Sequence, residues 1–150
     1  MTPSDVILDK LAELLAEDPT TLAPVANAVH VHLATNGFTP GPTLTVADFT
    51  EATFDGYAVL DADVGPQQNF VDPLSGNRVV QLLEPAGGWH WATTGITDLP
   101  QSIYGYFVTD NGDTVLYGCA RFDLPVPLTA SGQAVDIPYV RFDFIPPVLS

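Results

Sequence analysis

The chain has 150 residues, enough for one domain that buries roughly 70% of its unfolded surface on folding, and 46% of them are hydrophobic against 15% charged. Its four basic residues, Lys10, Arg78, Arg121 and Arg141, face eighteen carboxylates for a net charge of −14. That balance excludes the basic stripe a nucleic-acid binder needs to displace counterions, and it disfavours anionic membrane surfaces. So few charges for a chain of this size imply that part of its surface is covered by other subunits.

Cys119 is the only cysteine, so no intrachain disulfide forms and the compartment is not legible from disulfides. The start, Met1-Thr2-Pro3-Ser4-Asp5, lacks the basic and apolar runs of a signal peptide. No apolar stretch approaches the roughly 20 residues that span a bilayer. The expectation is a protein made soluble in the cytoplasm.

In chain order, residues 4–17 predict a helix. Ser4 is a good N-cap, and Asp5 suits the positive end of the helix dipole. Ile7, Leu8, Leu11, Leu14 and Leu15 share one face, and Pro19 ends the element. So short a helix must dock its stripe, on its own domain or on a neighbouring subunit. We read residues 1–22 as this helix and its linker, and the stripe as an association surface. Residues 23–150 then form one β domain.

Val29, Val31 and Leu33 alternate with His30 and His32 at the period of a half-buried strand. Gly37, Pro40, Gly41 and Pro42 break the chain, and Thr45 with Asp48 resembles a capping box that opens one short turn before Phe49. Further strands are expected over 56–64, 77–84, 88–94, 102–109, 114–122, 124–129 and 135–144. Asn111-Gly112 is a strong hairpin signal between two of them. About eight short strands separated by proline and glycine predict an all-β fold, an antiparallel sandwich or jelly roll, with an up-and-down barrel as the other possibility. Arg121-Phe122-Asp123 recurs as Arg141-Phe142-Asp143, and in a strand each Arg and Asp share a face and can form a local ion pair.

His30 and His32 are the leading metal candidates, because on a strand both point the same way, about 6.6 Å apart. Cupin enzymes use such a pair with a nearby Glu and a later His. Residues 34–37 supply no Glu, while His90 offers the later ligand without a cupin-like context. The bland alternative is two solvated histidines on an exposed face. Asp61-Ala62-Asp63, with Asp110 and Asp113, offers carboxylates for calcium, but the EF-hand spacing is absent. Trp89, Trp91, Tyr104 and Tyr106 could stack on a glycan if exposed, and would form core if buried. Cys119 lies within an expected strand with no neighbouring His, which favours packing over reactivity. No nucleophile elbow, P-loop or dinucleotide fingerprint occurs. The residues therefore imply no catalytic machinery and no cofactor.

Two stretches carry a resemblance. Residues 28–57, AVHVHLATNGFTPGPTLTVADFTEATFDGY, and 103–122, IYGYFVTDNGDTVLYGCARF, together resemble small structural proteins of tailed bacteriophages over about residues 25–145. The resemblance implies a virion part, such as a head decoration protein, a fibre or spike, or a tail accessory. Its partners would be copies of itself and other virion proteins, not nucleic acid or membrane. Two alternatives stand beside it: a carbohydrate-binding module using exposed Trp and Tyr, and a cupin-like metal enzyme centred on His30 and His32.

Overall fold

The alternating run through Val29, Val31 and Leu33 forms a central strand of the largest sheet. The computed structural model describes residues 2–3, 25–64, 69–71, 74 and 78–144. Its strands are β1 (Thr2–Pro3), β2 (Val25–Ala34), β3 (Leu60–Val64), β4 (Asn69–Val71), β5 (Arg78–Gln81), β6 (Trp89–Ala92), β7 (Gln101–Asp110), β8 (Leu116–Leu128), β9 (Ala134–Ile137) and β10 (Arg141–Phe144). One 3-10 turn at Val46–Asp48 is the helical element among the described residues. The helix expected over 4–17, with its stripe, lies outside the described residues.

All strand pairs are antiparallel, in sheets of order β1-β8-β7-β2-β3, β10-β5-β4 and β6-β9. This all-β, antiparallel arrangement agrees with a sandwich. The side-chain alternation of β2 decides which face does what. Val29, Val31 and Leu33 enter the main core with Trp89, Trp91, Ile103, Tyr106, Val108, Val135, Ile137 and Phe142. Leu33, Val31, Ile103 and Val108 are fully buried, each contributing about 1.5–3 kcal/mol of hydrophobic stabilisation. On the opposite face Ala34, Phe38, Phe107, Leu116 and Cys119 form a second, smaller core. His30 and His32 belong to this second face.

Several strand bounds differ from the sequence expectation. The segments expected at 114–122 and 124–129 are one strand, β8. Pro125 and Pro127 are exposed, in a stretch that pairs only with β7 among the described residues, and an edge strand tolerates proline. Conversely, the strand expected at 135–144 divides at Pro138 into β9 and β10. β4 carried no sequence signal strong enough to announce it.

The turn before Phe49 is as expected: the Asp48 carboxylate accepts from the Thr45 N–H at 2.7 Å and from its hydroxyl at 3.0 Å. The loop around it is closed by Asn36, whose amide donates to the Asp48 carbonyl at 2.8 Å and whose carbonyl oxygen accepts from the Thr50 N–H at 2.6 Å. As a result residues 50–52 run beside the end of β2, with Thr35 N–H to Thr50 O at 2.8 Å and Ala52 N–H to Leu33 O at 3.0 Å. Glu51 is thereby carried alongside the histidines.

Candidate functional site

Among the described residues, the second face of β2 gathers the group of His and carboxylate side chains that stand closest together. Register places His30 between Thr109 of β7 and Asp61 of β3, and His32 beside Phe107 of β7. The outer nitrogens are held by carboxylates: His30 Nε2 lies 3.1 Å from Asp61 Oδ1, and His32 Nδ1 lies 2.8 Å from Glu51 Oε1. The inner nitrogens converge on one atom. His30 Nδ1 is 2.8 Å and His32 Nε2 is 3.0 Å from Asp113 Oδ1.

Asp113 reaches both rings because the β7–β8 turn folds back over the sheet. It has a left-handed backbone, φ 55°, a conformation in which Asp is enriched among non-glycine residues. Its N–H donates to the Asp110 carbonyl at 3.1 Å. The Asp110 carboxylate accepts from the Thr114 and Val115 N–H groups, each at 2.8 Å, and from the Thr114 hydroxyl at 3.1 Å. Partial burial pulls the Asp110 carboxyl upward, but these donors outweigh it and hold the group below the usual carboxylate range. Asp113 behaves alike: against its own desolvation, the His30 and Thr109 hydrogen bonds and the nearby imidazoles keep its carboxyl low.

The surroundings are closely packed. His32 is only 2% exposed, stacked on Phe107 with centroids 4.6 Å apart, and Phe107 stacks on Phe49 at 4.5 Å. Tyr57 donates its hydroxyl to Glu51 Oε1 at 2.7 Å and accepts the Leu33 N–H at 3.2 Å. Burial, then the Glu51 hydrogen bond, pushes its phenol far above the ordinary value. The Thr109 hydroxyl, fully buried, lies 3.0 Å from His32 Nε2 and 2.9 Å from Asp113 Oδ1.

Counting protons shows what this geometry asks for. A neutral imidazole carries one N–H, an imidazolium two, and an ionised carboxylate only accepts. If each outer nitrogen donates to Asp61 or Glu51, both inner nitrogens turn lone pairs toward Asp113 Oδ1. Further protons, or one cation, at that point would complete the contacts.

The other sequence candidates lie elsewhere. His90, on β6, faces Asp136 of β9 at 2.6 Å and is not part of the His30–His32 group. Trp89 and Trp91 are core residues, 2% exposed each, and the Trp91 indole N–H donates to the Ala58 carbonyl at 2.8 Å. Tyr106 is buried and Tyr104 half-buried, so three of the four aromatics form no exposed stacking platform. Cys119 is buried, and desolvation raises its thiol pKa, in keeping with packing rather than reactivity. Of the carboxylates considered for calcium, Asp61 and Asp113 meet at His30, Asp110 braces the turn, and the Asp63 side chain lies outside the described residues. Arg121 donates to the Phe38 carbonyl at 3.1 Å rather than pairing with Asp123, and Arg141 lies over the Tyr139 ring at 5.1 Å; the side chain of Asp143, its expected partner, lies outside the described residues.

Sequence reasoning named His30, His32 and Asp113 but gave them to two different sites. It missed Glu51, Tyr57 and Thr109. Only the β2–β7 register brings Asp113 to the histidines, and only the closed 35–50 loop brings Glu51. Comparison with protein-family models, curated proteins and solved structures finds no match.

Proposed function

We propose that this chain is a non-enzymatic structural part of a tailed-bacteriophage particle, acting in several copies as a β-sandwich of the jelly-roll type. The supporting observation is spatial. The two stretches that carry the sequence resemblance, 28–57 and 103–122, are packed against each other, with β2 and β7 paired from Val29↔Asp110 to Ala34↔Gly105. The resemblance therefore falls on one folded unit rather than on scattered turns. Ile96 and Leu124 are 76% and 79% exposed, and with a charged content of 15% they fit a surface that meets other subunits. The partners on this reading are further copies of the chain and other virion proteins.

Light scattering of the purified protein across a concentration series, followed by electron microscopy, tests the proposal. It expects a defined oligomer with closed symmetry. A monomer at every concentration removes the homo-oligomeric part. No binding to phage heads or tails from the same genome removes the virion part.

A further inference from the structure

We propose that His30, His32 and Asp113 bind one divalent transition-metal ion, and that the ion clips the β7–β8 turn to β2. This inference stands on the geometry of the second face and does not depend on the virion reading. One ligand atom from each of His30, His32 and Asp113 lies within 4.8 Å of the other two, and His30 Nδ1 and His32 Nε2 are 2.8 and 3.0 Å from Asp113 Oδ1. Donors bound tetrahedrally at about 2.0–2.1 Å stand about 3.3 Å apart, so small side-chain adjustments admit an ion. The ion would accept the three lone pairs that converge when the outer nitrogens carry the ring protons.

The outer partners are those that metal-bound histidines keep. A ligating imidazole gives its remaining N–H to a carboxylate or carbonyl, which fixes its tautomer and orientation. Here Asp61 holds His30 and Glu51 holds His32, and Glu51 is itself fixed by the Tyr57 hydroxyl. The Thr109 hydroxyl or a water completes the coordination from beside His32 Nε2. Three carboxylates around two neutral imidazoles leave a local charge that a dication offsets. Two imidazoles with one carboxylate select zinc, cobalt or nickel over calcium, which takes six to eight oxygens. The Asp113 side chain is 48% exposed against 3% for His32, so the ion enters from the turn side onto a buried, pre-oriented ring. Two ligands stand on β2 and the third on the turn that joins β7 to β8, so the ion ties the turn to the sheet, which points to a stabilising site.

The full-length protein, stripped with a chelator and dialysed, is titrated with cobalt(II) alone, reading the visible d–d bands and the melting temperature. We expect saturation at one equivalent and a raised Tm, with zinc displacing cobalt. Because His32 is buried, the test rests on its more exposed partners. His30→Gln and Asp113→Asn should abolish the bands, and Glu51→Gln should weaken zinc binding about 10–100-fold while leaving the ligand set intact. His90→Gln, which removes the other His–Asp pair, should bind as the parent does. Absence of bands and of any Tm response in the parent means that protons alone close the cluster, and the proposal falls. It falls equally if binding survives in His30→Gln and Asp113→Asn, or disappears in His90→Gln.

Discussion

Tyr106 shows how a single buried group sets a limit on conditions. Burial raises its phenol from an ordinary 10.0 to about 12. A folded-state value above the unfolded one means stability that is complete below about pH 10 and lost as pH rises toward 12. Tyr57 shifts in the same direction and adds to the effect. Denaturant melts between pH 9 and about 12 should show a falling midpoint, and Tyr106→Phe should lose less across that window than the parent. Gly105 is fixed for a steric reason. A Cβ there would collide with the Ala120 carbonyl and approach Phe38 Cζ at 2.9 Å. Gly105→Ala should cost about 1–3 kcal/mol or more, read from chemical denaturation.

At the scale of elements, the β7–β8 hairpin is the piece on which the site depends. Asp110 supplies one carboxylate to three donors of the turn, so Asp110→Ala should free the Thr114 and Val115 amides. Hydrogen exchange should accelerate at those two positions, with a loss of global stability of about 1 kcal/mol because the turn is near solvent. The hairpin was legible beforehand in Asn111-Gly112, as β2 was in its alternation, because both signals are local. The bounds of β8 were not. Proline reads as a strand breaker unless one knows that the strand has an open edge, and that is a property of the finished sheet. The site was half legible for the same reason. His30 and His32 announce themselves by their spacing of two, whereas Glu51, Asp61 and Asp113 become their partners through pairings across 19 to 83 residues.

The whole molecule carries a net charge of −14, and copies of it repel one another unless contacts and counterions offset that charge. If copies associate through apolar surface, as proposed, added salt screens the repulsion and should shift light scattering toward larger species. Weakening by salt would instead assign assembly to ion pairs. The apolar stripe at Ile7, Leu8, Leu11, Leu14 and Leu15, expected from the sequence to mediate association, can be tested separately. Leu11→Ser with Leu14→Ser should leave the Tm of the β domain almost unchanged while reducing the scattering mass; a collapse in Tm would make the stripe part of the domain's own core.

The central position of β2 also has a kinetic meaning. Its neighbour β7 lies far along the chain, and His30 meets Asp113 across 83 residues. Closing so long a loop costs chain entropy before any ladder bond rewards it, so the β2–β7 ladder is expected to form later than the β2–β3 one. During synthesis Val29, Val31 and Leu33 emerge early; β3 follows and can pair with one edge of β2, but the edge that meets β7 stays open until β7 leaves the ribosome. In that interval the nascent chain is at its most prone to aggregation, and the protection of His32 from solvent reports the moment at which the interval ends.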